Sequence, residues 1–216
     1  MDLLNLIGQL ASGMGNTLLL FTLTLVFSLP LGLLVAFGRM SRFRPVQFIF
    51  KVLIAILRGT PLMLQLLVVF FGPYYVFGLS LAASYRFIAV VIGFSVNYAA
   101  YFAEIYRSGI ESIPVGQREA AQVLGYSKAQ TFIKIILPQM VKRVLPPVTN
   151  EVITLVKDTS LAFVLMYTEM FTLAKQIAAA RTSVMPLFVA GVFYFIFNAV
   201  VAAVMERIER SLSYYS

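Results

Sequence analysis

The chain has 216 residues, 60% of them hydrophobic and only 12% charged, with a mean hydropathy of +0.89; these values exclude an ordinary soluble domain and indicate a polytopic membrane protein. The absence of Cys and His removes disulfides, thiol and imidazole chemistry and the usual zinc ligands, and there is no G-x-x-x-x-G-K-[ST] phosphate loop. The net charge of +8 sits in loops beside apolar runs, where anionic lipid and topology account for it, so no nucleic-acid partner is expected.

The N-terminal Met1-Asp2 lacks the basic stretch of a removable signal, so the charge-free run over 3–38 predicts a retained first span at about 14–38. A second span is expected at 47–76. Arg58-Gly59-Thr60-Pro61 interrupts it, because Pro61 removes a backbone donor and clashes with the carbonyl four residues back. Groups freed at membrane depth are tolerated only where protein or a water-filled cavity satisfies them. The third span, 86–109, places Asn97, Tyr101 and Glu104 on one face at i, i+4 and i+7.

Between Pro114 and Pro138 the chain reads as two short helices. Gly125 ends the first in a left-handed cap and Ser127 opens the second, with Gln130 completing a capping box. The first helix is expected to project Glu119 from a small Ala120-Ala121 face. A fourth span over 146–167 opens at Pro146-Pro147 and carries Glu151, Thr154 and Asp158 at i, i+3 and i+7, followed by Thr159 and Ser160; Lys157 points about 100° away. The fifth span is expected at 187–206.

Cations follow the first span (Arg39, Arg42, Arg44, Lys51), the third (Arg107, Arg118, Lys128, Lys134, Lys142, Arg143) and the fifth (Arg207, Arg210), against Arg86, Lys175 and Arg181 on the other side. By the positive-inside rule the N-terminus lies outside, the C-terminus inside, and residues 110–145 form a cytoplasmic loop. With no repeat, linker or soluble segment, 1–216 reads as one all-α membrane domain of five transmembrane helices.

Glu119-Ala120-Ala121, Gly125, Ile135 and Leu137-Pro138 form the spaced pattern EAA-x3-G-x9-I-x-LP. It resembles the loop of ATP-binding-cassette (ABC) importer permeases that docks on the ATPase subunit. The alternative is an interfacial helix pair with no partner. Leu57 to Pro61 (LRGTP), Asn97 to Glu104 (N-Y-x-x-Y-x-x-E), Ser112-Ile113-Pro114-x-Gly116-Gln117 and Leu155 to Leu161 (LVKDTSL) together resemble the polar amino-acid subfamily, which serves histidine, arginine, glutamine, glutamate and opine uptake. The resemblance runs from about residue 14 to 210.

It implies a bacterial cytoplasmic membrane protein with five core helices, paired with a second permease, identical or related. A homodimer is slightly favoured on the base rate of symmetric assembly. Two ATPase subunits holding ATP and Mg, and an extracytoplasmic amino-acid-binding protein, complete the expected complex; this chain itself needs no cofactor and performs no covalent chemistry.

A free amino acid needs partners for its carboxylate and its ammonium inside the apolar layer. Arg58, with Thr60 and freed N–H groups, suits the carboxylate, and Asp158, with Thr159, Ser160 and Asn97, suits the ammonium. Glu104 is then a left-over carboxylate, which favours arginine, lysine or histidine as substrate. Met63, Leu67 and Tyr98 could line the pocket or simply pack. Coupling to the ATPase falls to Glu119, Ala120, Ala121, Gly125, Tyr126 and Ser127. An ion-coupled secondary transporter is the rival but calls for an internal inverted repeat. A membrane scaffold predicts dispensable intramembrane charges, and an enzyme lacks a nucleophile and base.

Overall fold

The computed structural model describes residues 3–79, 82 and 84–212, and the described residues hold helices and connecting turns with no strand. Helix α1 (Leu3–Arg39) is the longest, at about 55 Å. One face of it, Leu10, Gly13, Thr17, Leu20, Thr24, Ser28 and Gly32, is buried at i, i+3/i+4 spacing, while Leu18, Leu19, Phe27 and Leu34 point outward. That inversion, small and polar residues inside with large apolar ones outside, is how helices pack when lipid is the solvent.

The buried face lies along α4 (Tyr85–Glu111), the most extensive contact in the molecule. Gly32 permits it: a Cβ there would stand 2.8 Å from Phe102 Cβ and 3.1 Å from the Ala99 carbonyl. Gly32→Leu should therefore force the two helices apart at a cost of about 1–3 kcal/mol, read as a lowered unfolding midpoint of the purified protein. An unchanged midpoint would show that α1 and α4 can slide to make room.

The segment expected as a single second span is two helices, α2 (Arg44–Gly59) and α3 (Leu62–Phe77), meeting at a bend of 112°. Pro61 dictates the break, as expected. The size of the bend does not follow from Pro61, and neither helix alone is long enough to pass for a span. On α2, Arg44, Gln47, Lys51 and Arg58 share one stripe, while Phe48, Ile49 and Ile56 are exposed on the others. Such a helix suits an interface rather than a bilayer interior. α3 ends where Gly78 adopts φ +65°.

After α4 come α5 (Val115–Val123), α6 (Lys128–Thr131) and α7 (Leu137–Asp158). The second predicted short helix is not separate. Helical conformation runs unbroken from Lys128 through a π-helical stretch, Phe132–Ile136, into α7 and a 3-10 stretch, Thr159–Leu165. Pro146 and Pro147 lie inside α7 rather than opening a span. The buried row Met140, Val144, Val148, Val152 and Leu155 passes straight through them. At Gly109 of α4 a Cβ would meet Val144 at 2.2 Å, so packing on α4 holds the proline-containing turn helical.

α8 (Met170–Arg181), which the sequence pattern did not suggest, precedes α9 (Met185–Leu212). Glu169, fully buried, caps α8 by accepting from the Phe171 and Thr172 amides at 2.7 and 2.6 Å, and from Tyr194 of α9 at 2.9 Å. Asn16 donates to the Thr168 carbonyl (2.7 Å) and the Met170 amide donates to Thr17 (3.2 Å), so α8 is stitched to α1 as well. Among the described residues, α1, α4 and α9 are each long and apolar enough to cross a bilayer alone.

Candidate transport site and coupling elbow

Pro61 leaves the Leu57 carbonyl without its helical donor, and two side chains replace it. Gln65 Nε2 donates to Leu57 O at 2.8 Å and Asn97 Nδ2 at 3.1 Å. Gln65 also donates to the Thr60 carbonyl and hydroxyl (3.1 and 2.9 Å) and accepts from Asn97 at 3.0 Å, while Thr60 Oγ1 donates to Ile56 O at 2.8 Å. The break is thus locked to α4 by hydrogen bonds. Asn97 and Thr60, expected at the ligand, stand in this lock instead, with both Asn97 amide protons engaged. Gln65 was missed, although a lone Gln in the apolar run after Pro61 was a usable signal.

Arg58, at the end of α2, lies with its guanidinium carbon 5.1 Å from the Tyr101 ring centroid. It opens on a polar cavity of about 460 Å³ that Tyr101, Glu104 and Arg107 of α4 and Arg143 and Glu151 of α7 also line. Glu151 is within electrostatic reach of both Arg58 and Asp158. Asp158 accepts a 2.7 Å hydrogen bond from the Tyr98 hydroxyl, and Tyr98 is 2% exposed. Arg58 acts on Glu151, Glu151 and Asp158 on each other, and Lys157 on Asp158, so the charged group holds two carboxylates and two cations.

Glu104 is not left over. Arg107 donates to its Oε2 from Nη2 (2.7 Å) and Nε (3.0 Å), and Arg39 of α1 stands 3.7 Å from its Oε1. Arg107 also holds Glu111 at 2.5 Å. The pattern of α4 alone could not reveal Arg39, which arrives from a helix distant in sequence. Glu151, by contrast, makes no ion pair or hydrogen bond among the described residues. Thr159 is fully buried and donates to Val156 O (2.8 Å), and Ser160 donates to Lys157 O (2.7 Å), so both hydroxyls close the end of α7. Met63 and Leu67 lie on α3; Leu67 packs against the main core.

The elbow, the turn from α5 to α6 at Leu124–Ser127 together with α5, has the local geometry its residues require. Gly125 adopts φ +77°; its N–H donates to Gln122 O at 3.0 Å, and the Tyr126 N–H donates to Ala121 O at 3.0 Å, the bond pair of a Schellman cap. Ser127 N–H donates to Gln130 Oε1 (2.8 Å) and Gln130 N–H to Ser127 Oγ (3.2 Å), a complete capping box. The Tyr126 ring carries the Lys134 ammonium 5.8 Å from its centroid.

Ala120 and Ala121 do not share a face: Ala121 is buried against the domain, while Ala120 and Glu119 are exposed. Val123 and Leu124, 88% and 73% exposed, extend that outer side with apolar surface, and the sequence reading had passed over both. Gln139 donates to Gln117, and Arg118 Nη2 donates to Ile110 O at 3.2 Å, so the inner side of α5 is tied to α7 and α4. The elbow is thus tied to the domain on its inner side and exposed on its outer side.

Residues 28–214 match the family described as binding-protein-dependent transport system inner membrane component. The chain is 36% identical to the L-cystine transport system permease protein TcyB of Bacillus subtilis (strain 168), over 95% of this chain and 87% of that one. It is 34% identical to the arginine transport system permease protein ArtQ of the same organism, over 93% and 90%. Its fold superimposes on a chain of a structure described as an amino acid ABC transporter with histidines with a TM-score of 0.86, at 30% identity over 98% of this chain and 99% of that one. The MetNI methionine ABC transporter in an inward-facing conformation shares the fold, with a TM-score of 0.73 at 18% identity over 96% and 95%. Together with the polar break, the charged group and the elbow, these likenesses place the chain in the binding-protein-dependent inner membrane component family, among the permeases of amino-acid ABC transporters.

Proposed function

We propose that this permease carries basic amino acids, with Arg58 receiving the substrate carboxylate and Asp158 the ammonium, and with Glu151 matching a cationic side chain. The observation that carries this reading is that Glu151, on the wall of the cavity that Arg58 also lines, has no ion pair or hydrogen bond among the described residues, while Glu104 is already neutralised by Arg39 and Arg107. A cationic side chain pairs Glu151, whereas a neutral or acidic one leaves it unpaired in the apolar layer.

The chain works in a bacterial cytoplasmic membrane as a single domain of five spans, N-terminus outside, beside a second permease that is an identical or related copy. An extracytoplasmic protein delivers the amino acid. Two ATPase subunits, which bind ATP and Mg, grip the outer face of α5 around Glu119, Ala120 and Val123; their closure swings the elbow and alternates access to the charged group. Tying of the inner side of α5 to α4 and α7 supports its use as a lever.

Equilibrium binding of labelled arginine, histidine, glutamine and glutamate to the purified complex tests the substrate assignment. Native protein should hold the basic amino acids alone, and Glu151→Gln should lose that preference. Tight binding of glutamine or glutamate, or a preference indifferent to Glu151, would discard it.

A further inference from the structure

A second cavity, of about 290 Å³, opens where the end of α1 meets the elbow. Arg42 from the α1–α2 turn, Arg118 from α5 and Lys128 from α6 all line it, and no acidic residue does. Between them lies an apolar wall that includes Phe37, Phe132 and Ile136, with Phe37 and Phe132 edge to face at 5.7 Å. Arg42, Arg118 and Lys128 have no ion pair among the described residues, and the buried Arg118 Nε has no hydrogen-bond partner. Three like charges brought together around an apolar wall, one with an orphaned donor, call for an anionic ligand that also has an apolar part.

Its level in the molecule says which. The cavity lies at the point where the charge-free run of α1 gives way to Arg39 and Arg42, beside the exposed apolar side chains of α2. That is where the hydrocarbon layer ends and headgroups begin. Free phosphate would engage the cations but gain nothing from the Phe37–Phe132 wall. Glu119, one residue from Arg118, points about 100° around α5 and is exposed on the outer side, so an occupant of this cavity leaves that face open.

We propose that this cavity binds an anionic phospholipid, its phosphodiester held by Arg42, Arg118 and Lys128 and its glycerol and upper acyl chain against Phe37, Phe132 and Ile136. The lipid would then bridge the α1–α2 turn to the elbow, so that membrane composition bears on the lever itself. This goes beyond the substrate assignment and does not depend on it.

The test is titration of the detergent-purified complex with short-chain phosphatidylglycerol, followed by native mass spectrometry. Binding should be saturable, absent with short-chain phosphatidylcholine, and weakened about fivefold for each cation removed in Arg42→Gln and in Arg42→Gln with Lys128→Gln. Arg42→Lys should restore most of it, and Arg207→Gln with Arg210→Gln, the same change of charge elsewhere, should leave it alone. Equal binding of phosphatidylcholine, or equal loss in the Arg207/Arg210 control, overturns the site. Equal affinity for glycerol phosphate or inorganic phosphate overturns the lipid as its occupant.

Discussion

Asp158→Asn should abolish uptake while leaving the protein folded and inserted. The amide keeps the shape of the carboxylate and can still accept from the Tyr98 hydroxyl, so the packing of α7 on α4 is undisturbed. What disappears is the negative charge proposed to face the substrate ammonium. Leaving one member of a buried charge pair alone costs about 2–5 kcal/mol, which is a loss of affinity of about thirtyfold to several thousandfold. Tyr98→Phe separates charge from hydrogen bond: it deletes a bond to a charged group worth about 1.5–3 kcal/mol and should reduce uptake roughly tenfold or more without abolishing it. Uptake of labelled substrate into proteoliposomes decides the matter. Normal transport by Asp158→Asn would make the carboxylate a packing element and remove the ammonium site from the proposal.

Gly125→Val should uncouple ATP hydrolysis from transport. Nothing lies within 4 Å of a Cβ built at this position, so the penalty is not a clash with neighbours. It arises in the backbone, because φ +77° costs an L-residue about 1–2 kcal/mol, and a β-branched side chain suffers most. The chain can escape the strain only by giving up the Gly125 and Tyr126 hydrogen bonds that set the angle between α5 and α6. Insertion and permease assembly should survive, since the elbow lies outside the core. Substrate-stimulated ATPase activity should fall to the unstimulated rate. Gly125→Asn, which tolerates the left-handed region, should keep most of the coupling. A valine variant with normal stimulation would show that the elbow's turn does not set the docking geometry.

The parts legible in the sequence were those whose physics is local. Gly125 and the Ser127–Gln130 box act within a few residues, and the structure places both as their chemistry requires. Pro61 broke its helix for the same reason. The bend of 112° was not legible, because Gln65 and Asn97 decide where the freed Leu57 carbonyl finds its donors, and Asn97 comes from another helix. Pro146 and Pro147 misled as a helix start: the row from Met140 to Leu155 packs on α4 strongly enough to carry the helix through them. Glu104 was assigned correctly to the polar side of α4, but its state was settled by Arg39 from α1. α8 escaped notice because its cap, Glu169, is held partly by Tyr194, twenty-five positions away.

The unbroken helical path from Lys128 to Leu165 puts the capping box at one end and Asp158 near the other, about 45 Å apart along the axis. A continuous connection does not distinguish cause from response. If closure of the ATPases weakens the hold on substrate by some factor, bound substrate must oppose closure by the same factor, because the free energy around the cycle sums to zero. The affinity of the complex for nucleotide should therefore report occupancy of a site inside the hydrocarbon layer, and a nucleotide titration alone would measure how tightly the two ends are coupled.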